Sequence, residues 1–230
     1  MTGRISEIFS SVQGEGIYAG TPMIFVRFAG CNLKCDYCDT PESQSLENGK
    51  ILSAEEIIKH VENEFENSKN TSIVSFTGGE PLLHSELISE IVPYFKGKEI
   101  KIYIDTNGIL HEQFSKIADF IDFVAMDIKL PSSCYAEYWK EHTEFLKISK
   151  NKTFIKIVLT AKTAYNEFKR AIEIIEKADI SIPLVLQPVT AVRNIETLPF
   201  DVIRAFKKLA EEKLTNVSII SQIHKRMGIR

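Results

Sequence analysis

Short apolar runs and longer amphipathic stretches take turns along this chain, and that alternation limits the folds open to it more than any other feature. Runs of four to seven residues read as strands at 23–29, 71–76, 99–104, 123–126, 153–159, 182–186 and 217–220. Between them, apolar residues recur at helical spacing over 83–95, 111–120, 135–149, 164–178 and 201–213. A further helix starts after Ser53, where Ser53 and Glu56 make a capping box and Ile57, Ile58, Val61 and Phe65 share one face. In 135–149, Tyr138, Trp139, Phe145 and Leu146 form the apolar side and are assigned to the core. Strand–helix–strand order argues for parallel βαβ units, and right-handed crossovers curl about six of them into part of a barrel. The expected fold is therefore α/β, a shortened, partial (β/α)6 TIM-like barrel. A strand at 4–9 and the loop Gln13-Gly14-Glu15-Gly16 extend it at the N-terminus. One domain, 1–230, is expected, because no repeat, low-complexity segment or linker divides the chain.

Every conspicuous polar motif follows a strand. The cysteine-bearing stretch comes after 23–29 and Thr77-Gly78-Gly79-Glu80-Pro81 after 71–76. Asp105-Thr106-Asn107-Gly108, Asp127-Ile128-Lys129 and Gln187-Pro188 close three later strands. In (β/α) barrels that rim is where active sites are built. Taken singly, each motif has an ordinary reading. Gln13-Gly14-Glu15-Gly16 is either a polar turn or a place where backbone approaches a ligand. Asn107-Gly108 is common turn chemistry, and Asp127 with Lys129 is either a solvated ion pair or a set of ligand contacts. Arg27 is the odd residue in its apolar run. A buried charge is costly unless paired, so Arg27 either snorkels to water or holds an anion.

Three of the four cysteines, Cys31, Cys35 and Cys38, are spaced C-x3-C-x2-C, and Cys134 lies far away. Three thiolates at this spacing can wrap one corner of a cubane and leave its fourth iron open to substrate or cofactor. A structural zinc ion needs four ligands, and no nearby histidine or paired cysteine supplies the fourth unless Cys134 reaches in. Three clustered cysteines cannot all pair as disulfides, and nothing marks the chain as secreted. A three-cysteine cluster is the leading reading, with zinc or unrelated thiols as the alternatives. Cys134 is assigned to structure.

The chain has 230 residues, 44% of them hydrophobic and 26% charged, enough for one soluble globular domain with an ample core. A net charge of −3 gives no footprint for nucleic acid, which favours a basic face. No run of roughly 18 apolar residues predicts a membrane span. The opening MTGRISEIFSS lacks the apolar run of a signal peptide, so a cytoplasmic protein is expected.

The cysteine spacing and the Gly-Gly-Glu-Pro loop resemble the radical S-adenosylmethionine (SAM) superfamily, in which a [4Fe-4S] cluster binds SAM at its open iron and cleaves it to a deoxyadenosyl radical. Two longer stretches narrow the resemblance. Glu7-Ile8-Phe9-Ser10-Ser11-Val12-Gln13-Gly14-Glu15-Gly16, with Phe25-Val26-Arg27-Phe28-Ala29-Gly30-Cys31, resembles the 7-carboxy-7-deazaguanine synthase family. So does the ending Ser221-Gln222-Ile223-His224-Lys225. The resemblance runs from residue 5 to the C-terminus and implies a radical SAM barrel. It also implies ring contraction of 6-carboxy-5,6,7,8-tetrahydropterin to 7-carboxy-7-deazaguanine, with release of ammonia, on the way to queuosine and other deazapurines. SAM, a [4Fe-4S] cluster, Mg2+, an external electron donor such as flavodoxin or ferredoxin, and a homodimer are implied with it.

Residue by residue, the resemblance puts the cluster on Cys31, Cys35 and Cys38 and Mg2+ on Thr40. SAM is expected against Tyr37, Cys38 and Asp39, Gly79 and Glu80 (whose carboxylate takes the SAM ammonium), Asp127, Ile128 and Lys129, and Gln187, Pro188, Val189 and Thr190. For substrate, Arg27 is expected to clamp the pterin carboxylate. Val12, Gln13, Gly14, Glu15 and Thr77 would then line the pterin, and Gln222, His224, Lys225 and Arg230 close the pocket. The chain has Asp127-Ile128-Lys129 where many relatives have Ser-Pro-Lys. Two other readings compete: an activase that installs a glycyl radical on a partner protein, and a non-enzymatic Fe–S or zinc module.

Overall fold

The computed structural model describes residues 1–68, 71–190, 195–223 and 228. Among these, nine strands form one sheet: β1 (Thr2–Val12), β2 (Pro22–Phe28), β3 (Lys50–Ser53), β4 (Ile73–Gly78), β5 (Lys101–Thr106), β6 (Phe123–Asp127), β7 (Thr153–Leu159), β8 (Leu184–Pro188) and β9 (Val217–Ile219). Their order is β3-β1-β2-β4-β5-β6-β7-β8-β9. From β2 to β9 neighbouring strands are parallel, whereas β1 is antiparallel to both β2 and β3. The end strands β3 and β9 do not pair with each other, so the barrel stays open between them. The crossovers carry α1 (Ala54–Asn67), α2 (Ser85–Gly97), α3 (His111–Ser115), α4 (Pro131–Cys134), α5 (Trp139–Ser149), α6 (Tyr165–Ala178) and α7 (Phe200–Glu211). The helix expected after Ser53 begins with the capping box the sequence predicts. The Glu56 N–H donates to Ser53 Oγ at 3.2 Å, and the Ser53 N–H donates to Glu56 Oε2 at 2.7 Å.

Strand alternation sorts the side chains into two layers. Ile24, Val26 and Phe28, with Val74, Phe76, Ile102, Ile104, Ile155 and Ile157, join the core that includes the helices. The intervening residues Met23, Phe25, Tyr103, Ala125, Phe154 and Val185 form a separate inner cluster. Towards the C-terminal ends of the parallel strands this inner row turns polar: Arg27, Thr77, Asp105, Asp127, Lys156 and Gln187. Each fully buried Phe, Ile or Leu contributes about 1.5–3 kcal/mol, which offsets the cost of that polar layer.

Several boundaries differ from the sequence reading, and the polar layer explains most of them. β4, β5, β6 and β8 run one or two residues past their expected ends and take in Thr77-Gly78, Asp105-Thr106, Asp127 and Gln187-Pro188. Hydrophobicity ends at residues that the ladder still pairs, as Arg27 with Thr77 and Asp127 with Lys156. The expected helix 135–149 is broken. Pro131 starts the short α4, Tyr135 caps it in the left-handed region at φ 61°, and α5 begins only at Trp139. Likewise 111–120 divides into α3 and a 3-10 turn, Ala118–Phe120. The edge strand β3 is too short and exposed for its pattern to show in the sequence. Among the described residues no helix is long and apolar enough to cross a membrane.

Candidate active site

The polar ends of the parallel strands form the floor of a cavity of about 670 Å³, within the usual range for small-molecule sites. One wall is the loop after β2, from which Cys31, Cys35 and Cys38 all face the cavity. The Leu33 N–H donates to Cys31 Sγ at 3.4 Å, the Cys38 N–H to Cys35 O at 3.3 Å, and the Asp36 N–H to Ser133 O at 3.2 Å. Cys35 is buried in an apolar group with Leu33, Ile109 and Cys134. Burial pushes the Cys31 thiol up, and that of Cys35 up to about 11, with Lys129 acting against both shifts. These thiols are neutral until a metal displaces their protons. Cys134 is not on the wall, and its thiol donates to Ala136 O at 3.2 Å. Among the described residues no three His, Cys, Asp or Glu side chains gather closely enough for one metal ion. A mononuclear zinc site needs that closeness, whereas a cubane gives each thiolate a different iron.

The loop after β4 is stitched to the start of the cysteine loop. The Gly79 N–H donates to Phe28 O at 3.1 Å and the Glu80 N–H to Gly30 O at 2.8 Å. Glu80 is fully buried. Its Oε1 accepts from the Leu82 N–H (3.1 Å) and Thr106 Oγ1 (2.8 Å), and its Oε2 from the Asn107 N–H (2.8 Å). Asn107 Nδ2 in turn donates to Asn32 Oδ1 at 2.7 Å, so Asn107 ties the Gly-Gly-Glu loop to the cysteines. Behind it, buried His142 is 3.1 Å from Asn107 O.

Burial raises Glu80 from 4.5 to about 7, against the pull of those three donors. The folded protein therefore holds this proton more tightly than the unfolded chain does. Stability falls as pH rises from 4.5 to about 7, by roughly 3 kcal/mol for this one group. Glu80→Gln is expected to flatten that stretch. Urea unfolding of both proteins at about pH 5 and about pH 8 measures it, and an equally steep loss in the variant assigns the effect to another residue.

On the floor, the Lys156 ammonium lies 2.8 Å from Glu15 Oε2, 3.2 Å from Asp105 Oδ1 and 3.7 Å from Asp127 Oδ1. Asp127 Oδ2 accepts from Lys129 at 2.6 Å. Three carboxylates thus meet two ammonium groups, and burial among these carboxylates raises Asp105 to about 6. Opposite, Arg27 Nε donates to Glu7 Oε1 at 2.7 Å, and its guanidinium lies 5.4 Å from the centre of the Phe9 ring. Glu7 and Phe9 thus settle how this strand charge is carried. Gln222 Nε2 donates to Glu15 Oε1 (2.6 Å) and Asp39 Oδ2 (3.2 Å), so this amide ties two parts of the cavity wall together.

Residues 25–190 match the radical SAM superfamily. A curated relative, 7-carboxy-7-deazaguanine synthase of Geobacter sulfurreducens, is 37% identical over 98% of this chain and 97% of its own length. The chain belongs to the 7-carboxy-7-deazaguanine synthase family. The synthase of Archaeoglobus fulgidus is 36% identical over the full length of both chains. The crystal structure of QueE from Escherichia coli superposes with a TM-score of 0.65 at 20% identity, over 95% of this chain and 94% of that one. The fold is accordingly the α/β partial barrel of radical SAM proteins.

The side chains present fit the groups that membership in this synthase family implies. Three thiols share one wall, the floor carries an excess of anionic charge suited to cationic SAM, and Gln187 Oε1 is buried at the cavity without a hydrogen-bond partner. Of the residues the family resemblance singles out, Val12, Gln13, Gly14, Glu15, Arg27 and Thr77 line the cavity. So do Tyr37, Asp39, Thr40, Gly79 and Gln222, and the floor and far wall add Asp127, Lys129, Gln187 and Val189. Ile128, Pro188 and Thr190 do not; Ile128 enters the core. Glu80 is also off the wall; its carboxylate accepts three internal bonds that brace Leu82, Thr106 and Asn107, and Oε2, with one of them, keeps acceptor capacity. His224, Lys225 and Arg230 lie outside the described residues. Sequence reasoning missed Asp105 and Lys156 and undervalued Asn107. Lys156 carried the same signal as Arg27, a charge inside an apolar strand.

Proposed function

We propose that this chain is a 7-carboxy-7-deazaguanine synthase that contracts the ring of 6-carboxy-5,6,7,8-tetrahydropterin and releases ammonia. One observation carries the reading: Arg27 and the loop 12–15 face the same chamber as Cys31, Cys35 and Cys38. A small carboxylate and a cluster can therefore meet there. An activase works on a protein segment and has no use for such a clamp, and the relatives at 37% and 36% identity are synthases.

Cys31, Cys35 and Cys38 would hold the cluster, with SAM between Tyr37, Asp39 and Gly79 on one side and Asp127, Lys129, Gln187 and Val189 on the other. Bound together, cluster and SAM supply the radical that removes hydrogen from the substrate. Arg27 has five N–H donors and commits one to Glu7. The others would fix the substrate carboxylate by charge-assisted bonds. Gln13, Glu15 and Thr77 would align the ring against the floor. Gln222, bonded to Glu15 and Asp39, would hold those two carboxylates in place beside the substrate.

Thr40 offers a hydroxyl on the wall beside Asp39, an oxygen ligand of the kind Mg2+ prefers. Thr40→Ala is expected to lose most of the Mg2+ stimulation of turnover while keeping its iron content. A Mg2+ dependence matching the unaltered protein removes Thr40 from the metal site.

We read the chain as one radical SAM domain, working as a homodimer in the cytoplasm with an external donor such as flavodoxin or ferredoxin. The deciding experiment incubates anaerobically reconstituted protein with carboxytetrahydropterin, SAM, Mg2+ and a reductant. Carboxydeazaguanine and ammonia should form without net loss of SAM. Fully loaded protein that makes neither overturns the reading.

A further inference from the structure

Lys156 is 3% exposed, and the roles above give it no task. It sits mid-strand in β7, all seven residues of which are buried. A buried ammonium is retained only where its partners repay its desolvation, so the identity of those partners matters. Asp105 and Asp127 close strands that the sheet ladder already fixes, β6 pairing with both β5 and β7. Bracing those ends needs no lysine. The shortest contact, 2.8 Å, goes to Glu15, which lies outside the parallel sheet on the loop after β1.

That loop's backbone hydrogen bonds stay within it or go to Ile223, while Tyr18 packs on Tyr103, Phe123 and Phe154 of the barrel interior. The Gln13 N–H donates to Thr21 O, the Gly20 N–H to Gln13 O, and the Ile223 N–H to Gly14 O. The Glu15 N–H donates to Gln13 Oε1. Of the side-chain bonds to Glu15, the one from Gln222 comes from the residues that follow β9. The bond from Lys156 comes from the barrel wall.

We infer that Lys156 is a positioning residue for substrate: it fixes Glu15 over the cavity floor and, through Glu15, sets the affinity for the pterin ring. The inference rests on the reaction proposed above. A reduced pterin presents ring and amino N–H donors. Each oxygen of Glu15 keeps acceptor capacity beyond its present bond. Fixed by an ammonium, that carboxylate accepts those donors at one place; released, its side chain takes other rotamers.

The test uses reconstituted protein holding SAM, with fluorescent 6-carboxypterin as the binding probe and carboxytetrahydropterin for turnover. Lys156→Met is expected to weaken carboxypterin binding and raise KM by about tenfold or more, the worth of a charge-assisted bond. The kcat should change by less than about threefold. Glu15→Gln should do the same, and the double variant should be no worse than the weaker single one, because the two act as a unit. Where Lys156→Met does not fold, Lys156→Met with Asp105→Asn removes an anion along with the cation and carries the same measurement. Affinity within about threefold of wild type, kcat falling at constant KM, or losses that multiply in the Glu15 and Lys156 double variant would each overturn the inference. Wild-type protein that binds carboxypterin but makes no product overturns the reaction alone; absence of binding overturns both.

Discussion

Replacing Cys35 by alanine is expected to give a folded protein that assembles no stable four-iron cluster and forms no product above background. Cys35 is 9% exposed and packs as a small hydrophobe beside Leu33, Ile109 and Cys134. Its removal costs the fold only about 1 kcal/mol. Its value lies in coordination. Burial holds the thiol at about 11 in spite of Lys129 nearby, so it becomes a thiolate only when iron takes the place of its proton. Two remaining thiolates leave two irons of a cubane without protein ligands. Cys134→Ala, a few ångströms of packing away, is expected to keep the cluster, because its sulfur is turned to the Ala136 carbonyl and off the cavity wall. Iron and sulfide content, with the spectrum of the reduced cluster, separates the two. Full iron in the Cys35 variant, or lost iron in the Cys134 variant, reassigns the ligand set.

How well the fold can be read in advance depends on where hydrophobicity and pairing agree. β7 is apolar almost throughout, and its bounds, Thr153–Leu159, are those expected from the sequence. α6 and α7 likewise show one buried face, as at Phe168, Ala171, Ile172 and Ile175. β4, β5, β6 and β8, which end on polar residues of the active-site layer, are the strands that run past their expected ends. Thr77, Asp105 and Gln187 look like the start of loops because they are polar, yet all three are ladder residues with inward side chains. The error and the site have one cause. A barrel interior that turns polar at one end hides strand residues from any hydrophobic criterion.

Composition and spacing made the cysteine loop legible, and the family resemblance made most of the wall legible. Side-chain direction was not, since a motif names residues without saying which of them face inward. Ile128 shares its tripeptide with Asp127 and Lys129 but points into the core. Glu80 sits in the most specific motif after the cysteines, yet its carboxylate braces Thr106 and Asn107. Asn107 looks like common turn chemistry, because its partners, Asn32 and Glu80, are 75 and 27 residues away. Contacts of that range leave no local mark.

Gly78→Ala is expected to be among the costliest single methyls added at a described glycine, together with Gly79, where a Cβ would stand 2.0 Å from Gly30 O. Gly78 has a φ of 127°, and a Cβ there would stand 2.1 Å from Phe28 O and 2.5 Å from Phe28 N. Those are backbone atoms, so no side chain can swing aside. Strain and overlap together cost on the order of 3–5 kcal/mol, against a total of about 5–15 kcal/mol for a domain. The damage reaches the chemistry, because Phe28 O and Gly30 O, which take the Gly79 and Glu80 N–H groups, lead directly into Cys31. Two other glycines separate the contributions. Gly20 shares a positive φ, 89°, but has open space around it, so alanine there should cost about 1–2 kcal/mol from backbone strain alone. Gly97 in α2 has neither constraint, and alanine should stabilise by about 0.5–1 kcal/mol. Urea unfolding of the three variants gives the order directly. If Gly78→Ala lies within about 1 kcal/mol of Gly20→Ala, the end of β4 yields to the methyl. The glycine pair is then kept for the approach of a ligand to its backbone, not for the packing of one strand end on another.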